Sequence, residues 1–380
     1  MTRRGGPRIQ NAFVVLSDLH FGNDLYESPT TPLLNVSLPN FGISEERVTR
    51  FFEDRCRGHF APCVKRLPRY LRQLLWQLRE DGFPGDKLDL LILLGDQSTL
   101  ASASSYRFLR EYVSQTEYET RDGDGVFGCS GLGFRSPDVL AIPGNHDKLL
   151  RKNLSLYNDE FTRKLDLAEQ VEPQRCTIAV RRFGAREFIF ILIDPSTYCV
   201  EDLTIEKDCR SHLAAGNVGK NLVEDVRTKL MFLKDYGQLD ADVKLATGFS
   251  SAMKVLLVHY AVDETRFRSG LDELLLPHGC AGLGELVELL RKDFQLSMVL
   301  HGHLHVPLLY NYNGVQVISA STATRVDENR KTGFFLIKVF DTGAVIAEHH
   351  LWTGIAYTPD PDKALTREVG YFPEARVPAA

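Results

Sequence analysis

The chain has few cysteines, and none of them stands in a Cys-x-x-Cys pair. Seven are scattered among 380 residues, at Cys56, Cys63, Cys129, Cys176, Cys199, Cys209 and Cys280. An odd, irregular set excludes a thiolate zinc module and argues against a disulfide framework, so these read as reduced thiols. Long apolar runs are missing too. No stretch approaches the ~18–20 residues of a membrane helix, and the run Phe13–Leu16 is too short for a signal peptide's hydrophobic region. There is no excess of positive charge: 45 Lys and Arg against 50 Asp and Glu leave −5. A chain-wide basic field of the kind that holds duplex nucleic acid is therefore absent, and a nucleic-acid partner is not favoured. No internal repeat or heptad occurs. The Gly-rich stretch Arg121–Phe134 lacks the Gly-Lys-Ser/Thr ending of a phosphate-binding loop and reads as a flexible surface loop. These absences leave a soluble, cytoplasmic protein as the expectation.

What remains is globular in composition, 43% hydrophobic and 25% charged. A chain of this length buries a core without a metal staple, so a bound metal would be catalytic rather than structural. Short apolar runs recur: Ala12–Ser17, Leu88–Gly95, Val139–Pro143, Phe188–Asp194, Lys254–Tyr260 and Ser297–His301. Runs of this length, rich in Val, Ile and Phe, predict buried strands. Helical spacing lies between them at Ser44–Arg57, Leu67–Arg79, Ser105–Ser114, Asn221–Lys234 and Leu283–Phe294, with breaks expected near Pro62 and Pro68. Strands alternating with helices predict a layered α/β fold. Four more strands are expected at Leu308–Tyr312, Val315–Ser319, Gly333–Phe340 and Ala344–Leu351, as a second, largely antiparallel sheet region with turns at Asn313-Gly314 and Thr342-Gly343. From Thr358 onward the chain reads as a loose wrap. Asn23–Asn40 looks inserted, being rich in Pro, Asn, Ser and Thr without periodicity.

The chemically informative residues sit where the apolar runs end, which is where open α/β sheets place their sites. Asp18 and His20 follow the first run; alternate residues of an extended segment share a side, so the two can grip one ion. Gly95-Asp96 follows the second, and its carboxylate has two oxygens with which to bridge two cations. Taken singly, each is more often an ordinary turn residue. Gly144-Asn145-His146-Asp147 follows the third. An amide oxygen at Asn145 ligates without adding charge, His146 can protonate a leaving oxygen, and Asp147 can orient its imidazole. The competing reading is a polar turn capping a helix. His259 ends another run; a lone histidine there is more often structural. The last is His301-Gly302-His303-Leu304-His305, where three of the eleven histidines fall within five residues. Imidazoles so dense are costly to bury unless they ligate a metal, and His303 and His305 share a face. His301 reads as a supporting or structural residue.

In this order, D-x-H, G-D, G-N-H-D, a lone strand-end H and G-H-x-H resemble the calcineurin-like metallophosphoesterase superfamily, over Asp18 to His305. The resemblance implies an αβ-sandwich of two mixed β-sheets flanked by helices. It implies one catalytic domain over residues 1–357, with insertions near 22–66, 121–135 and 201–216, and a tail over 358–380. It also implies two metal ions (Mn, Fe or Zn), the first held by Asp18, His20, Asp96 and His305. Asp96, Asn145, His259 and His303 would hold the second, with a metal-bridging hydroxide attacking phosphorus in line. His146 would be the catalytic histidine and Asp147 its orienting partner. Two departures concern substrate choice. Thr99 stands where many members have an acid, and Tyr260-Ala261 follow the lone histidine in place of His or Pro.

The implied partner is a small-molecule phosphate ester, and the stretch from His301 to Thr324 resembles the cyclic-nucleotide phosphodiesterase branch. The reading adopted is a phosphodiesterase of a nucleotide-like compound. Alternatives within the superfamily are a DNA exonuclease, a UDP-diacylglucosamine-type hydrolase and a protein phosphatase. A non-catalytic scaffold predicts lost ligands, whereas all seven metal positions are filled here. The long interval from Asp18 to Asp96 predicts a lid, and its aromatics Phe21, Tyr26, Phe41, Phe51, Phe52 and Phe60 read mainly as core. A further insertion is expected near Glu201–Gly216. Oligomeric state is left open.

Overall fold

The structure, a computed structural model, describes residues 6–21, 62–98, 101, 103–122, 125–148, 155–196, 216–263, 279–323 and 331–372. The expected helix Ser44–Arg57, the insertions at Asn23–Asn40 and 201–215, Thr99, the remaining lid aromatics and Cys56, Cys199 and Cys209 lie outside the described residues. In chain order the elements that matter begin with β1 (Ile9–Leu16), α1 (Pro62–Glu80), β2 (Leu90–Leu94), α2 (Ala103–Ser114), β3 (Glu117–Asp122), β4 (Gly125–Ser130) and β5 (Val139–Ile142). Next come β6 (Cys176–Phe183), β7 (Arg186–Ile193), β8 (Gly216–Asn217), α3 (Lys220–Tyr236), β9 (Met253–Leu257), β10 (Cys280–Ala281), α4 (Leu283–Phe294) and β11 (Leu296–His301). The last are β12 (Leu308–Tyr312), β13 (Val315–Ser319), β14 (Gly333–Phe340), β15 (Ala344–Trp352), β16 (Tyr357–Pro359) and β17 (Thr366–Tyr371).

Two mixed sheets form the centre. The first runs β16-β15-β14-β1-β2-β5, with β17 also on β15; the second runs β12-β13-β11-β9-β7-β6. Each has a parallel middle, β1 with β2 and β5, and β7 with β9, β11 and β13. Strand alternation decides which layer each side chain enters. Val14 and Leu16 face α1 and α2, whereas Phe13 and Val15 face the second sheet, meeting Phe188, Val255 and Met298. On the far side Ile189, Ile191, Leu256 and Val299 pack under α3 and α4. The order of layers is helices, sheet, sheet, helices. The parallel middles are buried on both faces, which is why their sequences are nearly unbroken apolar runs. Among the described residues no helix is long and apolar enough to cross a membrane.

Four expectations about the frame are corrected. Pro68 does not break the chain's second predicted helix; it lies inside α1. Its ring leaves the Val64 carbonyl without the usual helical donor, and the Tyr112 hydroxyl donates to that carbonyl at 3.0 Å instead. The late strands do not make a sheet of their own. The β12–β13 hairpin extends the second sheet, while β14 crosses over to pair antiparallel with β1 in the first. The Gly-rich stretch is largely the hairpin β3–β4, paired from Glu117–Ser130 to Asp122–Gly125.

The described part of the segment after Thr358, through Phe372, is no loose wrap either. β17 pairs with β15, and Leu365, Val369 and Phe372 enter the core between the sheets. A buried polar chain adds a tie. The Ser321 hydroxyl donates to His349 Nε2 at 3.0 Å, and His349 Nδ1–H donates to Asp360 at 2.8 Å. Burial lowers the His349 pKa to about 4, so its ring stays neutral in this arrangement. The order Ser–His–Asp is that of a hydrolytic triad, but Ser321 is fully buried, and the chain acts as a brace.

A surface wrap would tolerate Leu365→Ala within roughly 0.5 kcal/mol. Because Leu365 is only 4% exposed within the inter-sheet core, we expect a loss of about 2–5 kcal/mol, read from equilibrium unfolding in urea.

Candidate metal centre

Five turns leave the C-terminal ends of core strands and meet at one place. Asp18 and His20 follow β1, Asp96 follows β2, and Asn145 and His146 follow β5, all in the first sheet. His259 follows β9, and His303 and His305 follow β11, in the second. The β1–β2 ladder continues past the strands and fixes the first two turns against each other. Asp18 N–H donates to the Gly95 carbonyl at 3.1 Å, His20 N–H to Asp96 at 2.9 Å and Phe21 N–H to Gln97 at 2.8 Å. Across the second sheet, Gly302 N–H donates to the His259 carbonyl at 3.1 Å.

The turns are strained in a consistent way. Asp18, His20, Asp96, His303 and His305 have φ of 53°, 47°, 51°, 72° and 57°. Non-glycine residues in the left-handed region cost of order 1–3 kcal/mol each and persist where surroundings over-determine them. Asp and His are among the residue types that accept this conformation most readily. Glycines make room beside them. A Cβ on Gly302 would sit 1.8 Å from Ser17 Oγ, one on Gly144 2.2 Å from Asp96 Oδ1, and one on Gly95 2.3 Å from His259 Nδ1.

The donor atoms form overlapping clusters. One atom from each of Asp18, His20 and His305 lies within 4.8 Å of the other two, and the same holds for Asp96, His259 and His303. A third cluster, His20, Asp96 and His146, links them through Asp96. His305 Nε2 is 2.9 Å from Asp18 Oδ1. His259 Nδ1–H donates to the Leu94 carbonyl at 2.7 Å, which aims Nε2 into the cluster. That nitrogen faces Asn145 Oδ1 at 3.1 Å, Asp96 Oδ2 at 3.3 Å and His303 Nδ1 at 3.2 Å. Atoms that converge this closely from both sheets can hold a cation in place of the imidazole proton. Carboxylate and amide oxygens with imidazole nitrogens, and no thiolate, suit Mn, Fe or Zn.

The electrostatics point the same way. Burial disfavours a charge on His259, but Asp96 and Asp18 outweigh it and lift its pKa to about 9. Burial also works against ionised Asp96, yet the facing His259, His146 and His20 hold its carboxyl well below the usual range. For Asp18 burial prevails, and its pKa is raised. The pocket therefore favours positive charge, and a cation here would also hold Asp18 ionised.

Every candidate ligand stands at this place, along with the half-buried His146, whose ring meets His20 edge-on at 5.0 Å. Asp147 does something other than the expected orientation of that ring. Its carboxylate accepts from the backbone N–H groups of Gln97 (3.1 Å), Ser98 (2.9 Å) and Gly144 (2.9 Å) and from the Tyr106 hydroxyl (3.1 Å). It ties the Asp96 turn to the Asn145 turn. Burial and the nearby Asp96 charge lift its pKa to about 7, against the pull of those amides. His301 is buried, with Nδ1–H donating to the Gly302 carbonyl at 3.0 Å and Nε2 3.4 Å from the Tyr310 hydroxyl. Burial lowers its pKa to about 4.

Three supporting residues were not singled out from the sequence. The Ser17 hydroxyl donates to Asp18 Oδ2 at 2.5 Å, the Thr322 hydroxyl to the Asp18 carbonyl at 3.1 Å, and Tyr106 to Asp147. Only Ser17, adjacent to Asp18, carried a local signal.

A family model for calcineurin-like phosphoesterases matches residues 12–307. No curated protein is significantly similar in sequence. Among solved structures, GAP50, the anchor in the inner membrane complex of Plasmodium, is similar at 11% identity, with 96% of this chain and 90% of that one covered and a TM-score of 0.46. A dimetal phosphatase from Danio rerio is similar at 11% identity over 96% of this chain and 99% of that one, TM-score 0.40. The phosphopantetheinyl hydrolase of Mycobacterium tuberculosis is similar at 13% identity over 83% and 90%, TM-score 0.36.

Gly302→Ala tests the crowding at the centre. We expect the variant to lose bound metal by elemental analysis, because its methyl group displaces Ser17 and Asp18. Gly128→Ala, where a Cβ meets nothing within 4 Å, is expected to keep it.

Proposed function

Because the chain belongs to the calcineurin-like phosphoesterase family, we propose that it hydrolyses phosphate esters with a pair of metal ions, and that its substrates are phosphodiesters of a nucleotide-like small molecule. The observation that carries the reading is the convergence of donor atoms from both sheets, Asp18, His20 and His305 in one cluster and Asp96, His259 and His303 in another, with His259 Nε2 at 3.1 Å and 3.3 Å from Asn145 Oδ1 and Asp96 Oδ2 of the opposite sheet. When bound, two cations supply fixed positive charge around phosphorus and lower the pKa of water toward roughly 7.

The side chains have separable roles in this proposal. Asp18, His20 and His305 hold the first ion; Asn145, His259 and His303 hold the second; Asp96 belongs to both. His146 is placed by its own backbone N–H, which donates to Asp96 Oδ1 at 2.9 Å. Its half-buried ring is the group that meets the departing oxygen with a proton or hydrogen bond. Asp147 supports it indirectly, by fixing the turn on which it sits.

The charge of the turns bears on the substrate. In the described turns 17–21, 95–98, 143–148, 258–263, 301–307 and 320–323, Lys148 is the one Lys or Arg, and its ammonium lies 2.5 Å from Asp194. With that cation committed elsewhere, a singly charged diester suits these turns better than a doubly charged monoester. The cyclic-nucleotide-like stretch after His301 supports the same choice.

Manganese-supplemented assays on bis-(p-nitrophenyl) phosphate, p-nitrophenyl phosphate and cyclic AMP test the proposal. We expect diester cleavage, reduced at least about 100-fold by Asp96→Ala or His303→Ala. His146→Ala is expected to cost about 10²–10⁴-fold on an alkoxide leaving group and much less on p-nitrophenolate. Faster turnover of the monoester would overturn the diester assignment.

A further inference from the structure

Lys148 and Asp194 form a buried ion pair between the two sheets, beside the metal centre. Lys148 follows Asp147 on the turn leaving β5, the edge strand of the first sheet; Asp194 follows β7, which neighbours β9 in the second. The Lys148 side chain is 2% exposed and that of Asp194 fully buried, with Nζ 2.5 Å from Oδ2. The other carboxylate oxygen, Oδ1, accepts from Ser196 N–H at 3.0 Å. Ser196 Oγ lies 3.3 Å from the Tyr260 hydroxyl. The Tyr260 ring packs against His259 at 5.5 Å and His303 at 5.1 Å. Gly216 closes over the same ring, since a Cβ there would come within 3.0 Å of it.

Removing both charges from water is expensive, and well-packed apolar side chains often serve stability as well or better. What a buried pair supplies is a fixed distance between the elements that carry it. Here those elements hold opposite halves of one ion site. Asn145, three residues before Lys148, comes from the first sheet; His259 and His303, backed by Tyr260, come from the second. The network reaches the first cluster only at one remove, where His303 N–H donates to Asp18 Oδ2 at 3.2 Å.

We propose that Lys148 and Asp194 are positioning residues that hold the two sheets at the spacing the second ion requires, with Ser196 and Tyr260 carrying the constraint to His259 and His303. The proposal rests on the two-metal reading. Groups behind metal ligands typically change affinity by about 10–100-fold when removed, and because this pair leads first to His259 and His303 and only through His303 to Asp18, the larger loss falls on the second ion. A general structural role would weaken both ions alike.

Titration of the metal-free full chain with cobalt(II), followed by calorimetry and visible absorption, tests this on Lys148→Met, Asp194→Asn and the double variant Lys148→Met/Asp194→Leu. The single variants each leave a buried charge without its partner; the double variant removes both and keeps the protein folded, as judged by near-ultraviolet circular dichroism. We expect two binding steps in the wild type, and in every folded variant one step weakened at least about tenfold with the other weakened distinctly less. Wild-type affinity at both steps in a folded variant, or equal weakening of both, would overturn the proposal while leaving the two-metal reading intact. A double variant that fails to fold would make the pair a stability element and overturn it as well. Wild-type protein that takes up no cobalt would instead defeat the two-metal reading itself.

Discussion

The convergence of carboxylate, amide and imidazole groups from two sheets on one place is the feature on which the rest of the molecule turns. His259 Nε2 lies 3.1 Å from Asn145 Oδ1 and 3.3 Å from Asp96 Oδ2, and His305 Nε2 lies 2.9 Å from Asp18 Oδ1, with Asp18, Asp96, His259 and His305 all buried. A buried carboxylate stays ionised only where positive charge, a protonated imidazole or a cation, stands beside it. The lifted pKa of His259 and the depressed one of Asp96 are two expressions of the same attraction. A cation in place of the imidazole proton would meet the same oxygens and nitrogens.

The fold meets this constraint through strand ends rather than helices. Parallel middles put the C-terminal ends of β1, β2 and β5 beside those of β9 and β11, and the ladder bonds run on into the turns. Left-handed backbone at five candidate ligands and close approach at Gly95, Gly144 and Gly302 let short side chains converge. Asp147 uses its whole carboxylate to lock two of these turns together. The candidate ligands come from both sheets, and the Lys148–Asp194 pair spans the distance between them.

Much of the centre was legible in the sequence because each candidate ligand directly follows a buried apolar run, where periodicity is strongest. Asp18, Asp96 and His259 could be placed at strand ends from Ala12–Ser17, Leu88–Gly95 and Lys254–Tyr260 alone. Which strand joins which sheet was not legible, since β14 pairs with β1 across more than three hundred residues and no local signal reports that partner. The same holds for β17, whose sequence is polar enough to read as a loop although Val369 is buried. Pro68 misled because its cost is met by Tyr112, a residue distant in sequence. Asp147 was assigned by adjacency to His146, whereas its partners are fixed by a three-dimensional meeting of turns. Asp194 had the right local signal, an acid ending an apolar run, but no histidine beside it to mark it.

Anomalous diffraction from crystals grown with manganese tests the central claim most directly. Two peaks about 3.5–4 Å apart, with Asp96 between them, Asp18, His20 and His305 around one and Asn145, His259 and His303 around the other, are the expected result. Density for no ion, or for an ion away from these seven side chains, would contradict it.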